Sequence, residues 1–235
     1  MLIRAKFSKL KPVRYISHLE LMDTFRKIFR RAELPVAYSG GYNPQIKFSM
    51  GQPLSVGMTG ESEYFDLNLN KKIDRVLFLN RVNEVSPRGI NVLEAKYIPE
   101  ESKSLQALIN CAVYNIRLSY QEKNVNKRKL MDIIEEFMQK EEIIITRYRR
   151  KKENRKIDIK PLLYGIELIE TDLWSFTVST GSRGNIRAEE LVRALGKYYS
   201  IIKKEVPVIN ITRKFLYVKI NNKFYPPLAE EIVGR

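Results

Sequence analysis

The sequence predicts an α+β protein built as two tandem ferredoxin-like (split βαβ) units, antiparallel sheets with helices on one face. Three observations predict it. Apolar periodicity over the first hundred or so residues runs strand, helix, strand, strand, helix, strand. The same order largely recurs after a polar linker. A chain of 235 residues with 44% hydrophobic content also fits two domains better than one or three. Alternating strands and helices would suit a parallel α/β sheet as well, but no Gly-rich fingerprint follows the first strand.

Residues 2–8, LIRAKFS, alternate apolar and polar as a half-buried strand does. A helix over 18–32 follows, opened by the S-x-x-E capping box of Ser17 and Glu20. Leu21, Met22, Phe25, Ile28, Phe29 and Ala32 share one face of it, while Arg26, Lys27, Arg30 and Arg31 lie away from that stripe. Pro35 stops the helix, YSGGYNP is a turn, and short strands follow around 45–50 and 61–69. Asp74 caps a second helix reaching about residue 84, and SPRG turns the chain into the strand INVLEAKYI. Pro99 and EESKS read as a linker, dividing the chain into units 1–100 and 101–235.

Beyond it, ALINCAVYNIRLSY reads as a strand, and a helix near 124–139 puts Leu130, Ile133, Ile134, Phe137 and Met138 on one face. The strand EIIITRYR comes next, then a strand pair near 157–169 and 172–179, a helix near 187–199 with Asn185 as candidate cap, and the strand VINITRKFLYVKI.

Composition narrows the function. The single cysteine, Cys111, excludes an internal disulfide, and with His18 as the one histidine the chain lacks ligands for a closed zinc site or a cysteine-held iron–sulfur cluster. Cys111 lies in an apolar stretch and reads as a buried strand residue. Glu61, Glu63 and Asp66 could hold magnesium, but a solvated acidic strand facing basic side chains is the simpler reading, so no metal site is assigned. No apolar run approaches the ~20 residues of a membrane span, and the N-terminal residues build no signal-peptide core. The expectation is a cytoplasmic protein without membrane contact. Forty-two Lys and Arg against 27 Asp and Glu give a net charge of +15, which points to a polyanionic partner, RNA before others.

Four features could meet such a partner. On the first helix, Arg26, Lys27, Arg30 and Arg31 offer phosphate contacts. In the GGYNP loop, Gly40 and Gly41 expose backbone N–H groups beside Tyr42 and Asn43, with Lys47 close by, suiting phosphate approach and base stacking. Residues 147–156 hold Arg147, Tyr148, Arg149, Arg150, Lys151, Lys152, Arg155 and Lys156, a basic hairpin or loop able to follow a backbone. Arg183, between two glycines before a helix, marks a candidate anion site. His18, at the first turn of a helix whose positive end disfavours its charge, is the one candidate general base. No second histidine could serve as the acid.

The segments YISHLELM, FRRAELPVAYSGGYNP, KFSMGQPLSVG and ESEYFDLNL resemble the N-terminal signature of the bacterial radical-SAM-linked (radical-SAM-associated) proteins, a family of unassigned activity. The resemblance implies a radical S-adenosylmethionine protein as partner, with the iron–sulfur cluster and S-adenosylmethionine held there and no cofactor in this chain. A weaker, fold-level likeness is to RAMP-type RNA-binding proteins, including CRISPR repeat-processing endoribonucleases. The reading that joins these is a non-catalytic protein presenting RNA, tRNA or rRNA, to a radical enzyme that modifies it. The alternatives are a metal-independent endoribonuclease using His18, and an interaction module whose basic surface binds an acidic protein.

Overall fold

The computed structural model describes residues 1–122, 125–148, 153–182, 184–202 and 208–234. It is an α+β fold of antiparallel strands and helices whose residues group into two compact units. The first comprises Met1–Cys111 and Arg213–Arg235, the second Ala112–Thr212. Sequence patterning placed the division at residue 100 and everything after it in the second unit. In the structure, residues from Arg213 onward return to the first, because their burial partners lie there.

In the first unit, β1 (Leu2–Lys9), α1 (His18–Arg31), β2 (Phe48–Met50), β3 (Thr59–Asn68), α2 (Arg75–Val85) and β4 (Ile90–Ile98) follow in the expected order. β1 pairs antiparallel with β3 and with β4, and β2 pairs with β3, giving the ferredoxin-like order β4-β1-β3-β2. Ile3, Ala5 and Phe7 of β1 share one parity, as do Phe65 and Leu67 of β3, and this face packs against Phe25, Ile28 and Phe29 of α1 and Phe78 and Val82 of α2. Phe7, Phe25, Phe29, Phe48 and Phe65 form a connected aromatic centre with ring separations of 4.8 to 6.0 Å.

The caps formed as read. The Ser17 N–H donates to Glu20 Oε2 at 2.6 Å and the Glu20 N–H to Ser17 Oγ at 3.3 Å, while Asp74 Oδ1 accepts from the N–H groups of Val76 and Leu77. These bonds hold the Glu20 carboxyl below its ordinary value.

A four-residue helix, α3 (Leu105–Leu108), takes the start of the segment expected to be all strand, leaving β5 at Cys111–Leu118. The second unit continues with α4 (Lys127–Gln139), β6 (Ile144–Arg147), β7 (Arg155–Asp158), β8 (Leu163–Glu170), β9 (Leu173–Ser179), α5 (Ala188–Tyr198) and the first part of β10 (Val208–Ile220). Its sheet runs β10-β5-β9-β8, the same ferredoxin-like order, with β8 and β9 antiparallel. The stretch 157–169 is not one strand. Its beginning, β7, pairs with β6 in a separate two-stranded ribbon, where Asp158 accepts from the Ile143 N–H and the Lys160 N–H. Nor does Asn185 cap α5. Arg187 precedes the helix, and its N–H donates to Glu190 Oε2 at 3.0 Å.

Residues 213 and beyond complete the first unit. The second part of β10 lies beside β3 and pairs with β11 (Lys223–Tyr225), and Val218 packs with Leu108 and Ile232. Arg4, fully buried in β1, donates from Nε and Nη2 to both Asp66 oxygens at 2.8 and 2.9 Å, and its remaining donors reach the Pro227 and Lys103 carbonyls. Arg4→Met strips a buried carboxylate and two carbonyls of their donor. Chemical denaturation should show a loss of roughly 3–5 kcal/mol, part of which returns when Asp66→Leu is added.

Candidate nucleic-acid interface

α1 turns its apolar face to the core, so Lys27, Arg30 and Arg31 stand exposed on the outside. Among the described residues none of the three pairs with a carboxylate. Arg30 and Arg31 occupy the last turn, where the helix dipole favours positive charge. Arg26 differs from the sequence reading in being half-buried, with Nη1 held by Asp23 at 2.6 Å.

The GGYNP loop stands clear of the sheet. Ser39 and Gln45 close its neck through the Ser39 N–H to the Gln45 carbonyl and the Gln45 N–H to Ser39 Oγ, at 2.8 and 2.9 Å. Residues 40–45 are all exposed, and the Tyr42 ring is wholly in solvent, so it does not pack on the core. Gly41 has φ of +101°, a conformation that strains any residue with a Cβ. Lys47 is exposed where the chain re-enters the sheet.

In the second unit the basic segment is the ribbon of β6 and β7, with Arg147 opposite Arg155. Arg149, Arg150, Lys151, Lys152 and also Arg183 lie outside the described residues. Tyr148, Arg155 and Lys156 are exposed. Arg147 is committed to α5: its Nε and Nη2 donate to the two oxygens of buried Glu190 at 2.7 and 2.6 Å, and Nη2 reaches the Asn185 carbonyl. Burial pushes the Glu190 carboxyl up, but Arg147 and the Arg187 N–H outweigh it and hold the group below its ordinary value. A hollow of about 190 Å³ between ribbon and helix is lined by Tyr148, Glu190, Arg193 and Lys197, among others.

A buried charge cluster that sequence reasoning did not assemble lies beneath the start of α1. Lys9 and Arg213 are each 1% exposed. Arg213 donates to Glu63 Oε1 at 2.8 Å and Oε2 at 2.5 Å, and to the carbonyls of Pro53 and Gln52. Lys9 Nζ donates to the carbonyls of Arg14 and Ile16 at 3.1 and 3.0 Å, tying β1 to the entry of α1. Burial lowers the Lys9 pKa, with Glu63 opposing and Arg213 adding to the effect. His18 is half-buried above this cluster, and burial, then the Arg213 and Lys9 charges against that of Glu63, lower its pKa and hold it neutral. The signal for the cluster was present: Lys9 continues the parity of Ile3, Ala5 and Phe7, and Glu63 that of Phe65 and Leu67, so both charges fall on a core-facing row.

Cys111 is buried, and burial pushes its thiol up to about 12. The three acidic residues of β3 each meet a cation instead of one another: Glu61 with Lys214, Glu63 with Arg213, Asp66 with Arg4. Among the described residues no three His, Cys, Asp or Glu side chains are grouped to hold a metal ion, and no helix is long and apolar enough to cross a membrane.

A family model described as an uncharacterized protein conserved in bacteria (DUF2344) matches residues 2–188. No curated protein matches the chain. Among solved structures it is similar to a chain of a Cbf5–Nop10–Gar1 complex, at 15% identity and a TM-score of 0.55, covering 91% of this chain and 48% of that one. It is also similar to a chain of an H/ACA RNP bound to a substrate RNA containing 2′-deoxyuridine, at 16% identity and a TM-score of 0.50, covering 99% and 50%. The chain spans about half the length of these relatives, and likeness at this identity shows the fold.

Two measurements check the cluster. A Cβ at Gly60 would sit 2.5 Å from Glu63 Oε1, so Gly60→Ala should cost roughly 1–3 kcal/mol; a double-mutant cycle should show most of that loss vanish in a Glu63→Ala, Arg213→Met background. His18 has a folded-state pKa below its ordinary 6.5, so the unfolded chain takes up its proton first as pH falls, and stability declines below that value. Denaturation midpoints followed from about pH 7 to 5 should drop less steeply in His18→Gln than in the wild type.

Proposed function

The chain belongs to DUF2344, the conserved bacterial family whose model covers most of it, and from that premise we propose that it is a non-catalytic RNA-binding protein that presents its substrate to a radical S-adenosylmethionine enzyme. The observation that carries the RNA part is the outer face of α1, where Lys27, Arg30 and Arg31 stand exposed without carboxylate partners among the described residues. They do so in a chain of net charge +15. A surplus of this size repels itself unless a polyanion approaches. Tyr42 at the loop tip adds an aromatic face to these cations. The fold-level likeness to a chain from an RNA-bound H/ACA RNP supports the same reading.

The partner enzyme rests on the motif resemblance of residues 14–69. It agrees with the division of chemistry that the side chains suggest: the one thiol here is buried and protonated, unsuited to ligate a cluster. In this arrangement the chain's own residues bind and orient RNA, while cluster and cofactor belong to the other protein. On this reading His18, half-buried near the charges of Lys9, Arg213 and Glu63, takes no catalytic part.

Filter retention of labelled single-stranded RNA across a salt series tests the proposal. The wild type should bind with a steep salt slope and return the RNA intact, and Lys27→Gln, Arg30→Gln, Arg31→Gln together should reduce the slope by up to about 2. Salt-independent retention would sink the reading, and 2′,3′-cyclic phosphate ends lost in His18→Ala would replace it with the nuclease. Co-purification from the native host tests the partner separately: an associated radical S-adenosylmethionine protein is expected, and its absence at any salt removes that part.

A further inference from the structure

β10 and β11 form a tight ribbon in the first unit. Asn221 and Asn222 turn it with φ of 46° and 61°, the two-residue left-handed geometry that fixes hairpin register. Val218 then lies opposite Tyr225, Lys219 opposite Phe224 and Ile220 opposite Lys223. Alternation along β10 puts Phe215, Tyr217 and Lys219 on one face, and cross-strand pairing places Phe224 on that same face. Three aromatic rings thus run in a row. Phe215 and Tyr217 are 5.5 Å apart and stacked at 29°, and Tyr217 and Phe224 are 6.0 Å apart. Phe215 is 38% exposed and Phe224 41%, with Tyr217 half-buried between them.

Hydrophobic burial explains the other side of the ribbon but not this one. Leu216 and Val218 are buried, Val218 against Leu108 and Ile232, so the ribbon is held from behind and its aromatic row is held in place. Large exposed rings in a rigid row are what a base-stacking surface requires, because every nucleobase offers a π face and the rings lose little freedom when covered. Lys219 shares the face and brings positive charge beside the row, while Lys223, opposite Ile220, and Lys214, paired with Glu61, lie on the other face. The Lys219 charge suits a strand with phosphates on its outside and bases turned inward.

We propose that Phe215, Tyr217 and Phe224 form a stacking platform for consecutive bases of single-stranded RNA. The platform rests on the RNA-binding reading above and narrows it: the RNA engages through unpaired bases, not through a duplex. The interaction is tolerant of sequence, since stacking reads no base edge.

The test uses the full chain and fluorescence anisotropy, with three probes: a short A-rich oligoribonucleotide, the same backbone without bases, and a duplex of equal phosphate number. Phe215→Leu with Phe224→Leu keeps apolar bulk and removes two rings. Each lost ring should weaken binding of the A-rich probe by about tenfold, leaving its salt slope and the binding of the other two probes unchanged. Phe215→Tyr with Phe224→Tyr should retain wild-type affinity. Near-ultraviolet circular dichroism confirms folding, and Phe224→Leu alone, on a short exposed strand, provides the milder variant. Unchanged affinity of folded Leu variants for the A-rich probe, or equal weakening on all three probes, overturns the platform while leaving RNA binding intact. A wild type that binds none of the probes at low salt overturns both readings. Loss of a co-purifying protein in the Leu variants, with RNA affinity intact, would assign the row to protein contact and overturn it too.

Discussion

Two arginine–carboxylate pairs buried along β3 set the terms for the first unit. A charge removed from water is tolerable only when an opposite charge and further hydrogen bonds replace its hydration. Arg4 and Asp66 meet this condition with the help of carbonyls at Pro227 and Lys103, and Arg213 and Glu63 with carbonyls at Gln52 and Pro53. Each pair therefore recruits segments far apart in sequence. The linker, the loop after β2 and the residues beyond β10 are positioned because a buried guanidinium demands their oxygens. Gly60 belongs to the same constraint, since only a residue without a Cβ leaves Glu63 room to turn back toward Arg213.

The basic composition is thereby sorted into two uses. Arg4, Lys9 and Arg213 are interior, and their charge goes to acceptors within the unit. Arg147 is likewise drawn inward, by Glu190. The outer face of α1, Lys47 beside the GGYNP loop, and Arg155 and Lys156 on the ribbon of the second unit remain outside, along with other exposed cations such as Lys71, Lys72, Arg75, Arg128 and Arg193. Net charge alone does not separate these groups. Burial does, and it distinguishes residues that hold the protein together from those available to a phosphate backbone.

Local signals were legible in the sequence. The capping box at Ser17 and Glu20, the Asp74 cap, the apolar stripe of α1 and the split βαβ order of both units all depend on residues within a few positions of one another, and the structure contains them. What escaped were decisions made by distant partners. Residues from Arg213 onward were assigned to the second unit because strand periodicity does not reveal which carboxylate an arginine will find. The 157–169 stretch reads as one strand if Pro161 is passed over, yet a 3₁₀ turn at Lys160–Leu162, with Pro161 within it, separates the portion pairing with β6 from the portion pairing with β9. Of the candidate site, α1 and the loop were visible as motifs, but Tyr42 could equally have packed inward until its surroundings were known. Lys9 and Glu63 were detectable as charges on core-facing rows. Phe215, Tyr217 and Phe224 were not, since aromatic alternation in a strand ordinarily signals burial.

The return of residues 213 onward to the first unit also bears on how the polypeptide is made. Synthesis delivers Glu63 long before Arg213, and Arg4 long before the Pro227 carbonyl. Throughout that interval the paired strands β1 and β3 hold ionised groups whose final neighbours have not left the ribosome, so the first unit cannot close vectorially ahead of the second. Any premature stop before β10 would yield a polypeptide with an unmatched acid on an apolar sheet, a species marked for proteolysis by its own electrostatics.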